Sequence, residues 1–203
     1  MTSRAFRVVE MFEEAMAEFA GSRYGVAVES CTMALFLSCV YREVDDVAIP
    51  ARTYISVPAA IRHAGGRVVF QDHAWAGTYE LRPFGIIDSA LRMRRGMYDG
   101  GLHCVSFHAR KLLPIGRGGM VLTDNDGAAD WLRKARFDGR TGSVPFLEDP
   151  VSMLGWNAYM TPEQAARGLQ LLEAIGDGRP DLTPEYPDLR TLPVFAEAMA
   201  WTR

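Results

Sequence analysis

Cysteine is scarce in this chain of 203 residues: Cys31, Cys39 and Cys104 are the only three, and none forms a CxxC pair. An odd number without paired spacing argues against a disulfide framework and a zinc site alike, and fits a reducing compartment. His63, His73 and His103 show no metal-ligand spacing either, so no metal is expected. Long apolar runs are missing as well, since no stretch approaches the roughly 18 uninterrupted residues that a membrane helix needs. The opening MTSRAFRVVEMFEEAMAEF mixes acids with apolar residues and reads as neither a signal nor a transit peptide. Charge of one sign is not in excess: the formal net charge of −3 creates no global field favouring nucleic acid or an anionic membrane. Repeats and low-complexity tracts are absent. Together these absences predict a soluble, cytoplasmic protein.

What is present has the balance of a globular domain, 48% hydrophobic and 23% charged. The length suits one domain, or one domain with a short appendage, and is enough to bury a real core. Residues 8–19 carry apolar side chains at helical spacing with Glu10, Glu13 and Glu14 between them, which predicts an amphipathic helix. Residues 24–28 (YGVAV) read as a buried strand, and Ser30 or Thr32 can cap the apolar helix that follows. Further strands are expected at 46–49, 67–72, 84–88, 103–107 and 119–123, and helices at 53–63 and 126–137. Thr161-Pro162-Glu163 opens another helix, with a threonine cap, proline in the first turn and an acid near the positive end. It runs through Ile175 and stops at Gly176. Beyond it lie four prolines and several acids, which predict an irregular tail with a short closing helix at 195–201. Alternating strands and helices imply an α/β fold with a mostly parallel sheet and helices on both faces. Ligands in such sheets bind beyond the C-terminal strand ends, where Ser30, Asp88 and Lys111 fall.

Lys111 closes the motif SFHARK (106–111), after a strand and before the glycine-rich turn GRGG (116–119). With SCTMAL (30–35), ARTYIS (51–56), IIDSA (86–90) and GWNAYMTPEQAA (155–166), in that order, the chain resembles the DegT/DnrJ/EryC1/StrS aminotransferases over roughly residues 8–175. Those are fold-type I enzymes that depend on pyridoxal 5′-phosphate (PLP) and act largely on nucleotide-linked keto-sugars.

The resemblance implies that 1–176 is a shortened PLP-binding large domain, and that 177–203 is the residue of a truncated C-terminal small domain. It implies that Lys111 holds PLP as an imine and shuttles a proton, which an amine does near neutral pH when desolvation or a nearby cation lowers its pKa. Asp88, delivered by an apolar strand, is implied to pair with the ring nitrogen, the pairing that general PLP chemistry requires. Ser30, Cys31 and Thr32 match a phosphate-cradling helix N-terminus, and Ser106 a second phosphate ligand. Tyr54 matches an aromatic residue that stacks on the ring, although a core tyrosine is nearly as good a reading. Asn157 matches an asparagine that reaches the neighbouring subunit's phosphate, which implies a homodimer with shared sites. His108 has either a catalytic or a packing role.

The chain departs from the pattern in three places. A strand and helix between Asp72 and Ile86 are missing, the small domain is reduced to a tail, and Leu91, which cannot hydrogen-bond, stands where a histidine or glutamine is usual. Cys31 is a milder departure from glycine or another small residue. The basic run at 91–95 reads as a solvated turn, or else as a binder of substrate phosphates, with nucleic acid not favoured. The expected activity is transfer of an amino group from a small-molecule donor to a nucleotide-linked sugar or similar acceptor. PLP-dependent decarboxylation or elimination on an amino acid or amino-acyl-modified nucleotide or nucleic acid is the alternative, as is a non-catalytic relative.

Overall fold

The computed structural model of the protein describes residues 6–142 and 144–196. Helix α1 (Arg7–Ala20) forms because Val9, Phe12, Met16 and Phe19 recur along one face, and that face is buried. Strand β1 (Tyr24–Val28) leads through Ser30 into α2 (Cys31–Tyr41); the Ser30 hydroxyl caps the helix, accepting from the Met33 N–H at 3.1 Å. Then follow β2 (Asp46–Pro50), α3 (Ser56–His63), β3 (Arg67–Gln71), β4 (Tyr79–Leu81), β5 (Ile86–Asp88) and β6 (Met93–Arg94). The second half contains β7 (Leu102–Ser106), β8 (Gly119–Thr123), α4 (Asp126–Ala135), α5 (Pro162–Ala174), β9 (Gly178–Arg179) and α6 (Pro193–Ala196). The threonine cap of α5 is part of a complete capping box with Gln164. The closing helix expected at 195–201 lies mostly outside the described residues.

Among the described residues the main sheet has the order β1-β8-β7-β5-β4, while β2 and β3 form a parallel pair tied to its β4 edge by two Ala48–Arg82 backbone bonds. Side chains alternate across the sheet as strand geometry requires. Val26, Val28, Cys104 and Val121 face α2 and α4, whereas Ala27, Val105, Met120 and Leu122 face α1 and α5. Helices therefore cover both faces, as expected for the α/β class.

The expectation of a mostly parallel sheet is corrected to a mixed one. In the main sheet only β5 and β7 pair in parallel, and β1–β8, β7–β8 and β4–β5 are antiparallel. The reason is the connection between β7 and β8. It contains no helix to carry the chain back across the sheet, so β8 returns beside β7 in the opposite sense. Strand β4 lies in the stretch expected to lack a strand; three residues were too few to show a period.

Glu13, one of the acids between the apolar positions of α1, is 6% exposed on the packed face of the helix. Its carboxylate accepts from the Ala27 N–H at 2.8 Å and from Arg136, which also bonds the Ala27 carbonyl. This pair ties α1 to β1 and to the end of α4. Removing the acid strands a buried guanidinium, so Glu13→Ala should cost about 3–5 kcal/mol, read as a lower urea midpoint. A loss under about 1 kcal/mol would mean that Arg136 reaches water instead.

Candidate active site

Strand direction brings the expected residues together. Both β1 and β7 run opposite to β8, and β5 runs with β7. The three strands therefore share one direction, and their C-terminal ends lie on one edge of the sheet. Ser30 follows β1, Asp88 ends β5 and Ser106 ends β7. The loop from β7 to β8 carries Lys111 over that edge, held by Lys111 N–H to His108 C=O at 2.8 Å and Ala109 N–H to Gly116 C=O at 3.0 Å.

The loop closes on two glycines. Gly118 bridges to Ser30, and Gly119 pairs with Ser106 across the β7–β8 ladder. A Cβ on Gly119 would lie 2.4 Å from the Ser30 carbonyl carbon and the Cys31 nitrogen. Only glycine permits this approach, which sets the N-terminus of α2 beside the end of β7.

The result is a cleft of about 690 Å³, within the usual range for small-molecule sites. It is lined by seven of the eight expected residues: Ser30, Cys31, Thr32, Tyr54, Asp88, Ser106 and Lys111. Asp88, 3% exposed, accepts from the Tyr79 hydroxyl at 3.0 Å and the Ala90 N–H at 2.9 Å. Tyr79 in turn accepts from Thr53 at 2.6 Å. Burial raises the Asp88 pKa above its ordinary value, and these hydrogen bonds and the Lys111 charge only partly oppose it. Burial likewise pushes the Tyr79 hydroxyl and the Cys31 thiol well up, so both are neutral. Thr32 donates to Ser56 at 2.8 Å. Tyr54 is 54% exposed at the cleft wall, which sets aside the core-tyrosine reading.

Asn157 is not brought into this cleft. It is exposed and bonds Asp138 at 3.2 Å, next to the β-bridge between residues 137 and 157. His108 lines the cleft and accepts from the Arg110 N–H through Nδ1 at 3.2 Å, a loop-shaping bond. The basic run at 91–95 is solvated only in part: Arg94 and Arg95 are exposed. Leu91 and Met93 are buried, Arg92 bonds Asp181, and Arg95 reaches Asp177. Sequence reasoning missed the tail's share of the site: Leu182, Thr183, Glu185 and Tyr186 line the cleft, and Tyr186 accepts from the Lys111 amine at 3.4 Å. The available signal was the match between acids after Gly176 and arginines at 92–95.

These residues fit a phosphorylated pyridine aldehyde. A helix N-terminus with hydroxyls suits a phosphate. Asp88 is a buried carboxylate whose charge is incompletely compensated, and it suits a protonated ring nitrogen. An amine stands across the same cleft.

Comparison with known proteins agrees with the geometry. A model of the DegT/DnrJ/EryC1/StrS aminotransferase family matches residues 3–86 and 93–179. GDP-perosamine synthase of Caulobacter vibrioides is 25% identical over 84% of this chain and 58% of its own length. The spore coat polysaccharide biosynthesis protein SpsC of Bacillus subtilis is 27% identical, over 83% of this chain and 57% of its own. Among solved structures, the aminotransferase TlmJ from Streptoalloteichus hindustanus shares the fold, with a TM-score of 0.70 and 24% identity over 83% of this chain and 58% of its own. The chain thus spans under three-fifths of the length of these relatives.

The raised Asp88 pKa has a consequence for stability. The native state holds this proton more tightly than the unfolded chain. The stability it contributes is therefore fully present below the ordinary value of 3.8 and is lost as pH rises through the raised native value. In cofactor-free protein, Asp88→Asn should raise the urea midpoint at pH 7, and the gain should vanish below about pH 4. A variant less stable than the parent at pH 7 would reverse the sign and contradict this environment.

Proposed function

Because the chain belongs to the DegT/DnrJ/EryC1/StrS aminotransferase family, whose cofactor is PLP, we propose that it is a PLP-dependent aminotransferase. Its acceptor is a nucleotide-linked keto-sugar or a similar substrate. The cleft that joins Lys111 to Asp88 carries this reading. The names of the two relatives, one for a GDP-linked sugar and one for a coat polysaccharide, support the substrate class.

When bound, PLP supplies a ring that withdraws electron density from the substrate carbon bearing the amine. The chain's own residues do the rest. Asp88 would keep a proton on the ring nitrogen, since its burial leaves the carboxylate in need of such a cation. The first turn of α2, with Ser30, Cys31 and Thr32, would hold the phosphate together with Ser106. Tyr54 would pack against the ring. Lys111 would be the covalent anchor and would move a proton at the substrate carbon. Of the 22 basic side chains only Lys111 and Lys134 are lysines, and Lys134 lies on α4, lining a different pocket. The cleft therefore has a single candidate amine.

In this reading residues 1–176 form the cofactor-binding unit and 177–203 a residual tail. The protein is a cytoplasmic homodimer, and Asn157, exposed and off its own chain's cleft, serves the site of the partner. Among the described residues no helix is long and apolar enough to cross a membrane.

Adding PLP to the purified protein should give an absorbance band near the visible edge. Borohydride should then fix the cofactor on the peptide containing Lys111, and Lys111→Ala should lose both signals. Amino donors should yield keto acids. Carbon dioxide release without keto-acid formation would move the reading to a decarboxylase, and a cofactor bound away from Lys111 would end it.

A further inference from the structure

The tail after α5 crosses the cleft and is fastened on both sides. On the near side Arg92 grips Asp181 through Nη2–Oδ2 at 2.6 Å and Nε at 3.1 Å from both oxygens, with the two side chains 16% and 18% exposed. The Leu182 N–H donates to the Leu91 carbonyl, and the Leu182 carbonyl accepts from Gly77, both at 3.0 Å. Gly77 has φ +69°, and a Cβ there would lie 2.4 Å from the Asp181 carboxylate. The position is therefore reserved for the clamp.

On the far side Leu189 is buried and its N–H donates to Ala51 at 2.9 Å. Arg190 bridges Asp72, at 2.9 and 3.0 Å, and Asp188, at 2.5 Å. This arginine holds the Asp188 carboxyl down to about 2. Between the anchors Pro184 and Pro187 restrict the backbone. At the centre, Tyr186 sets its ring against Tyr54, with centroids 5.9 Å apart, and its hydroxyl on the Lys111 amine. The tail's own residues in these contacts, 181–190, lie beyond residue 179, where the family match ends.

We propose that residues 181–189 are a strap that covers the cofactor cleft, and that Tyr186 is a positioning residue for the Lys111 amine. The proposal deepens the PLP reading and rests on it for what the strap covers. The geometry of the strap is testable without cofactor. The prolines and the two clamps fix the span, so that Tyr186 meets Lys111 at little further loss of chain entropy. One hydroxyl then limits the directions the amine can take.

Lys111 and Lys134 are the only side-chain amines, so an amine-reactive ester read by peptide mass spectrometry reports on Lys111 with Lys134 as internal reference. In cofactor-free protein, Tyr186→Phe should label Lys111 about threefold faster, the worth of one modest hydrogen bond, with Lys134 and the melting temperature unchanged. A merely structural tyrosine would not respond to the loss of a hydroxyl, so an unchanged labelling ratio overturns the positioning role. Asp181→Asn should speed both Lys111 labelling and PLP release from loaded protein about tenfold, the order of a weakened charge-assisted bond. The exchanged pair Arg92→Asp with Asp181→Arg should recover most of each. Unchanged release in Asp181→Asn overturns the strap as a cover. If PLP fails to attach to Lys111 in the parent protein, the function reading falls, and the labelling arm still judges Tyr186.

Discussion

Burying the Asp88 carboxylate at the end of an apolar strand costs free energy that the surrounding structure must offset. The compensation is local and partial. Strand β4 places Tyr79 directly opposite Asp88 in register, Thr53 satisfies the Tyr79 oxygen, and the turn after β5 contributes the Ala90 N–H. Two neutral donors do not restore what water would give a charge, and the carboxylate stays hard to ionise. The protein thus keeps an acid on the floor of a cleft in a condition that a cation on the ligand would relieve. Under the proposed function, that incomplete compensation is what would favour a protonated pyridine.

The rest of the sheet serves to aim groups at that floor. Because β1, β5 and β7 run the same way, a helix N-terminus, a carboxylate and a hydroxyl emerge at one edge although most pairings in the sheet are antiparallel. The antiparallel strand β8 brings Gly118 and Gly119 back beneath the loop that carries Lys111. The turn chemistry and the N-terminal end of α2 are therefore one construction: a side chain on Gly119 would wedge apart the corner at Ser30.

Much of this was legible in the sequence where the signal is local. The apolar run before Asp88, the Ser30 cap and the threonine-proline start of α5 each mark their position through neighbours in the chain, and each element formed within a few residues of its expected bounds. The features that escaped depend on partners far along the chain. Strand direction was set by the missing helix between β7 and β8. Strands of two or three residues, β4, β6 and β9, are too short to show a period. Glu13 stands among other acids in the sequence, and nothing near it there marks its pairing with Arg136 on a distant segment. Arg92 gave no hint that its partner lies 89 positions on, and Tyr186 sits among prolines and acids with nothing to distinguish it from linker. Charge complementarity between a basic run and a later acidic stretch was the one readable trace of that strap.

The central claim is that Asp88 and Lys111 hold one PLP molecule between them. A crystal structure of the protein soaked with PLP tests it most directly. The account predicts continuous density from the Lys111 nitrogen to the cofactor, the ring nitrogen within hydrogen-bond distance of Asp88, and the phosphate at the start of α2. A ring bound elsewhere, or turned so that its nitrogen faces away from Asp88, would contradict it.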